Sequence, residues 1–225
     1  MTDPASNDAL TLVIGNKNYS SWSLRPWLLM RHHGIAFDEV RLPLDTPEFA
    51  RVIGDWSPTR AVPVLHHRGV VVWDSLAICE YANETFLDGA GWPTSASARA
   101  VARSVSAEMH SGFQALRSRM PMNARRRASG FPIPSDVQKN VTRIAALWKD
   151  CRARFGGDGP FLFGKFSIAD AMYTPVALRF VSYGVPREAE MQAYIDALHT
   201  LPALQEWLRD AAVEPEAIAE TDNIG

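Results

Sequence analysis

The stretch AVPVLHHRGVVVWDSLAICEY, Ala61 to Tyr81, changes its hydrophobic period within a few residues. Val62–His66 and Val70–Trp73 read as two short strands that turn at Arg68-Gly69. From Asp74 or Ser75 the spacing becomes helical, with Leu76, Cys79 and then Ala82 or Asn83 on one side. A hairpin running directly into a helix is the closing half of a small mixed sheet.

Upstream, Leu10–Ile14 (LTLVI) is a buried strand ended by the turn-rich GNKN. From about Ser23 to His33, Leu24, Trp27, Leu28 and Arg31 share one helical side. Pro26 confines the start to Ser21–Ser23, because proline is harmless only in the first turn. Gly34 supplies the C′ position, and Phe37–Leu42 alternates as a second strand. The polar segment Asp45–Arg60 carries a short helix over Pro47–Ile53. The order is β-α-β-(α)-β-β-α.

Downstream, Asp88–Ser97 (DGAGWPTSAS) reads as a linker, and no further strand is predicted. Ala98 to about Met120 reads as one long helix, followed by a loop, PMNARRRASGFPIP. Ser135 to about Phe155 opens on the capping box Ser135-x-x-Gln138, and Ser167 to about Tyr183 opens on a second, Ser167-x-x-Asp170. Glu188–His199 and Ala203–Ala212 follow, separated by Pro202, and the tail EPEAIAETDNIG reads as polar and frayed. The expected organisation is a small α/β domain over residues 1–87, a linker at 88–97 and an all-helical domain over 98–225.

Composition narrows the function classes. The chain has 225 residues, 47% hydrophobic and 21% charged, with a formal charge of −2. Nothing in that balance suits nucleic acid or an acidic membrane surface. Arg125-Arg126-Arg127 is the one basic cluster and reads as a solvated loop or helix end. Cys79 and Cys151 belong to no metal spacing, and His66-His67 on a strand point to opposite faces, so no metal site is expected. The N-terminal MTDPASNDAL lacks the pattern of a signal peptide, and no apolar run is long enough to span a bilayer. A reducing cytoplasm is the simplest placement.

Three constellations carry chemistry. Val62-Pro63 sets a proline at the start of an interior strand, where it cannot donate to the ladder. Either the bond is cis and turns the chain, or the strand is an edge and the proline trans. Asp74-Ser75 at a strand-to-helix junction is either a plain N-cap or a site for an α-amino-acid end. In the second case free N–H groups and a hydroxyl take the carboxylate, and the acid takes the ammonium. NYSSWSLRPW, Asn18 to Trp27, places more hydroxyls before a helix than one cap requires.

Together NYSSWSLRPWLL, AVPVL, DSLAICEY and FSIADAMYTPV resemble the glutathione S-transferase superfamily, from about Leu10 to Leu208. The resemblance implies a thioredoxin-like α/β N-terminal domain joined to an all-α C-terminal domain. It also implies glutathione as co-substrate, a small electrophile as second substrate, a homodimer, and neither metal nor nucleic-acid nor membrane partners. By position it makes Pro63 the family's cis-proline and gives Val62 the cysteinyl backbone. It gives Asp74 and Ser75 the γ-glutamyl end, and Arg60 the neighbourhood of the glycyl carboxylate. Ser20 becomes the hydroxyl facing the sulfur, with Ser21 second, Tyr19 third and Ser23 the cap. Arg25 matches the family arginine after the last serine.

The serine pattern is similar to the zeta class, but Trp22 stands where that class has a cysteine, and Pro26-Trp27 also depart from it. A bacterial-type, serine-using member of no assigned class is therefore expected. A maleylacetoacetate-type isomerase and a non-catalytic binding protein are the alternatives. The electrophile pocket is expected between the domains, lined by Tyr19, Met109, Phe113 and Leu116. Arg179, in an apolar helix, would need a carboxylate from the protein or from an acidic substrate.

Overall fold

The computed structural model describes residues 9–128 and 130–224. Residues 1–8, which open the N-terminal stretch read above, lie outside the described residues, as do Ser129 of the loop and Gly225 of the tail. The apolar run Leu10–Ile14 forms β1 and is the spine of a four-stranded sheet of order β2-β1-β3-β4. β2 (Asp38–Arg41) runs parallel to β1, with Leu12 opposite Glu39, and β3 (Val64–His67) runs antiparallel, with Leu12 opposite Leu65. β4 (Val70–Trp73) pairs antiparallel with β3 across the Arg68-Gly69 turn and forms the edge.

Strand alternation divides the core between the two faces of the sheet. Leu10, Leu12, Ile14 and Leu65 face α1 (Ser21–His32) and α3 (Ser75–Phe86), while Val13 and Val64 meet Ile53 of α2 (Pro47–Trp56). Two adjacent histidines follow the same rule. His66 Nε2 bonds Trp56 O at 2.8 Å on the α2 side, and His67 Nδ1 bonds Tyr81 OH at 2.9 Å on the α3 side. The Val62-Pro63 bond is cis and lies ahead of the first paired residue of β3.

The helical part contains α4 (Ala96–Ser111), α5 (Gln114–Arg119), α6 (Ser135–Cys151), α7 (Ile168–Ser182), α8 (Ala189–His199), α9 (Pro202–Val213) and α10 (Ala219–Asp222). α1 packs against α3 on its own side and against α7 and α9 across the domain boundary. It is therefore buried almost all round, with Trp27, Leu24, Leu28 and Met30 fully enclosed. The connection to α4 is packed as well: Trp92 is buried and its Nε1 donates to Glu80 Oε2 at 2.9 Å.

Several elements differ from their sequence expectations. The single helix over Ala98–Met120 is two helices, because Gly112 and Phe113 break it. Phe113 sits at φ 55° and Gly112 leaves no room for a Cβ, which would lie 2.7 Å from Glu108 O. The box at Ser135 is absent: Pro134 is the N-cap residue and Ser135 already lies inside the helix. α6 ends at Cys151 and winds into a π-turn, Arg152–Gly156, instead of continuing to Phe155 as an α-helix. The box at Ser167 is present, with Asp170 Oδ2 accepting from Ser167 N and Oγ, both at 2.9 Å. Pro202, expected between two helices, is the first residue of α9, where its missing N–H costs nothing.

The tail is the largest correction. Glu214 is buried, and its carboxylate accepts from Lys17 N (2.7 Å) and Asn18 N (2.9 Å). Asp222 in α10 accepts from Tyr19 OH at 2.9 Å and from Asn123 Nδ2 at 2.7 Å. Arg125, expected in solvent, donates to Glu214 O (2.8 Å), Glu216 O (2.9 Å) and Tyr19 OH (3.0 Å). These charge-assisted bonds satisfy the N–H groups of a loop that could not pair within a sheet.

Candidate functional site

The end of β4 and the start of α3 make one wall of a cavity of about 340 Å³. Asp74 is the N-cap residue at φ 77°, and its Oδ1 accepts from Leu76 N (2.9 Å) and Ala77 N (3.2 Å). It is a cap, as the plain reading of Asp74-Ser75 had it, but only one carboxylate oxygen is used for capping. Ser75 is 1% exposed, and its Oγ has no hydrogen-bond partner among the described residues. A buried hydroxyl without a partner is costly, which singles out this position.

Thr59, Ala61, Val62 and Pro63 form the opposite wall, Trp73 one rim, and Trp22 and His110 close the cavity from α1 and α4. His110 Nε2 lies 2.5 Å from Asp74 Oδ2, and its ring meets the Trp22 indole edge-on at 5.5 Å. Trp22 also carries two cations: the Arg25 guanidinium lies 4.0 Å from its ring centre and that of Arg117 lies 5.2 Å away. The cavity thus has one carboxylate, one imidazole, one unpartnered hydroxyl and two indoles.

The start of α1 is built differently. Ser20 is the N-cap residue, yet its side chain caps nothing; Oγ donates instead to Ser23 Oγ at 2.7 Å. Ser23, expected to be the cap, lies inside the helix and accepts from Gly15 N at 3.2 Å, tying α1 to the end of β1. Ser21 Oγ accepts from Arg179 Nη2 at 3.2 Å, and Ser21 O from Arg25 Nη1 at 3.2 Å. Neither Ser20 nor Ser21 is on the cavity wall; both are buried.

Arg25 and Arg179 are buried cations without an ion pair among the described residues. Arg179 was expected to need a carboxylate. It is held instead by carbonyls, with Nε on Met120 O (2.8 Å) and Nη1 on Pro175 O (3.2 Å). Burial pushes the Arg179 guanidinium down to about 10, and burial together with the neighbouring Arg179 lowers Arg25. Arg179 remains charged at neutral pH, so the first turn of α1 sits over a positive centre in addition to its own dipole.

The other expected site residues lie elsewhere. Met109 and Leu116 are fully buried core, and Phe113 is the turn between α4 and α5, so the three do not share one continuous helical face. The Tyr19 hydroxyl is committed to Asp222 and Arg125. Arg60, at φ 56°, sends Nη2 to Ala50 O at 2.6 Å and is not on the cavity wall. Cys79 and Cys151 are free and buried, and burial raises both thiols, Cys151 to about 12.

Conversely, the cavity uses Thr59, Ala61, Trp73 and His110, none of which sequence reasoning placed at a site. His110 meets Asp74 only through the docking of α4 on α3, so no local spacing signals it. A larger cleft of about 970 Å³ opens beside the connection to α4. Its Arg99 is bound to Pro93 O and Thr94 O and its Arg103 faces Glu80, so size alone distinguishes it. Among the described residues no group of His, Cys, Asp and Glu could hold a metal ion, and no helix is long and apolar enough to cross a membrane.

Two family models match successive parts of the chain. A family model described as glutathione S-transferase, N-terminal domain, matches residues 19–85, and one described as glutathione S-transferase, C-terminal domain, matches residues 102–210. No curated protein matches the sequence. Among solved structures, a glutathione transferase homolog from Burkholderia GL BGR1 with bound glutathione is 21% identical, with a TM-score of 0.69 over 92% of this chain and 100% of that one. The theta class glutathione S-transferase from Xanthomonas axonopodis pv. citri, also with glutathione bound, is 22% identical, with a TM-score of 0.65 over 89% and 97%. A diazinon-metabolizing glutathione S-transferase from the silkworm Bombyx mori is 15% identical, with a TM-score of 0.70 over 90% and 96%. At these identities the likeness is one of fold.

Proposed function

The chain belongs to the glutathione S-transferase superfamily, and from that premise we propose that it binds glutathione in the cavity between β3, α3 and the start of α1. There it would present the thiol as a thiolate to a small electrophile. The observation that carries this reading is the unpartnered Ser75 hydroxyl beside Asp74, facing Val62 and Pro63 across one cavity. Ser75 would take the γ-glutamyl carboxylate, Asp74 the ammonium, and the Val62 backbone the cysteinyl amide. Two of the similar structures hold bound glutathione, which supports the same ligand here. Arg60 would reach the glycyl carboxylate by leaving Ala50 O.

A thiol near pKa 8.5 is mostly protonated at neutral pH, and the thiolate is the nucleophile. Three features at the start of α1 favour the anion. They are the helix N-terminus, the buried Arg25 and Arg179 behind it, and a serine hydroxyl that can donate. Ser20 is the first choice of donor, its hydrogen being spent on Ser23 Oγ in the free protein and available to turn when a ligand arrives. Ser21 is second, its oxygen being held inward by Arg179. Calorimetry with glutathione and titration of thiolate absorbance in the complex test this directly. Binding with a bound-thiol pKa lowered by about one unit or more is expected; no binding at millimolar ligand ends the reading.

The inward bonding of both serines favours a second reading, a glutathione-binding protein without transferase activity. It requires tight binding with an unshifted thiol. Trp22 on the cavity wall fills the place of the zeta-class cysteine, which bears against isomerase activity on a maleylacetoacetate-like substrate. The protein would work as a cytoplasmic homodimer. Val70, Val71 and Trp73 on edge strand β4, with Phe86 nearby, are exposed apolar side chains suited to a partner copy. A monomer by sedimentation at micromolar concentration would remove that part.

A further inference from the structure

His110 is the one titratable group lining the cavity that the glutathione reading leaves without a task. It lies in the last turn of α4, about a third exposed, and its imidazole edge rests on Trp22. A carboxylate oxygen only accepts, so the Nε2 atom facing Asp74 Oδ2 carries the hydrogen. Oδ1 of Asp74 is already taken by Leu76 N and Ala77 N. Oδ2 is therefore the acceptor left for a ligand's ammonium, and His110 occupies it.

A ligand with an ammonium alone would compete with His110 for Oδ2 and hand the imidazole N–H only to solvent. A ligand carrying an ammonium and a carboxylate on the same carbon replaces what it removes. Its ammonium takes Oδ2 and its carboxylate receives the His110 hydrogen, with Ser75 Oγ as second donor. We propose that His110 is a specificity-determining residue of this cavity, exchanging Asp74 for the α-carboxylate of a zwitterionic amino-acid end. The proposal rests on the glutathione reading and names how the site rejects amines that lack the acid. It also makes ligand capture an event of both domains, since His110 comes from α4 and Asp74 from the start of α3.

The test is calorimetry on the full chain with two ligands. One is glutathione; the other is 4-aminobutanoyl-Cys-Gly, which keeps the ammonium and lacks the α-carboxylate. His110→Ala is expected to weaken glutathione about tenfold, the weight of one charge-assisted hydrogen bond. It should leave the aminobutanoyl ligand unchanged or bound more tightly. His110→Gln, which keeps a donor, should recover most of the loss, and it decides the matter should the alanine variant not fold. Equal weakening of both ligands, or unchanged glutathione affinity in both variants, overturns the proposal while the glutathione reading stands. A wild-type protein that binds neither ligand overturns both.

Discussion

Two helix starts border the same cavity, and they are built in opposite ways. At α3 the cap is made by a side chain, Asp74, at the cavity's edge, with half its carboxylate facing the space and Ser75 beside it unpartnered. At α1 the N-cap residue Ser20 caps nothing, the serines bond inward, and two buried arginines supply positive charge from behind. One start offers groups directly to a ligand. The other offers a field, with the hydroxyls held in reserve. A helix N-terminus attracts an anion in either arrangement, but only the first leaves donors free before the ligand arrives.

The comparison can be broken most severely at Arg179. Arg179→Met removes three bonds and leaves Met120 O buried without a donor. A loss of about 3 kcal/mol of stability is expected, from the cost of unpaired buried polar groups. Thermal unfolding would show it as a drop of roughly 6–12 °C; an unchanged midpoint would mean that the α1 start does not depend on its buried charge. Next is Asp74→Asn, which keeps a capping oxygen but not the charge. Glutathione affinity should fall roughly thirtyfold, about 2 kcal/mol, with stability changed by less than about 0.5 kcal/mol. Calorimetry and a melt on the same sample separate the two effects.

At α1, Ser20→Ala should raise the pKa of bound glutathione by about one unit, worth about 1.4 kcal/mol. Ser21→Ala should shift it by less than half as much. The reverse order would move the donor role to Ser21. A smaller effect than that of Ser20→Ala is expected for Ser75→Ala. Its hydroxyl has no partner in the free protein, so stability should stay within about 0.5 kcal/mol while glutathione binds roughly fivefold more weakly. A marked loss of stability instead would show that the hydroxyl serves the fold rather than a ligand.

Local pattern made much of this molecule legible. Leu10–Ile14, the Val70–Trp73 strand, the helix from Ser75 and the Ser167/Asp170 box are each set by neighbours within a turn or a strand, where period and capping chemistry apply. The long α4–α5 segment misled because its apolar spacing is helical throughout, while Gly112 and a left-handed Phe113 break it. The tail misled because its acids are polar in composition but accept from Lys17 N, Asn18 N and the Tyr19 hydroxyl, and its carbonyls from Arg125, far away in sequence. Arg179 misled for a related reason: a buried guanidinium can be satisfied by carbonyls that no sequence spacing reveals.

The sequence by itself determined the order of elements and brought Val62, Pro63, Asp74 and Ser75 into one hairpin-plus-helix unit, because those positions are linked by short-range geometry. Only the tertiary structure decided what faces them. The docking of α4 set His110 on Asp74, the packing of α1 on α7 turned Ser21 toward Arg179, and the closure of the tail took Tyr19 away. Those contacts join residues far apart in the chain, and their energies exist only once the helices have packed.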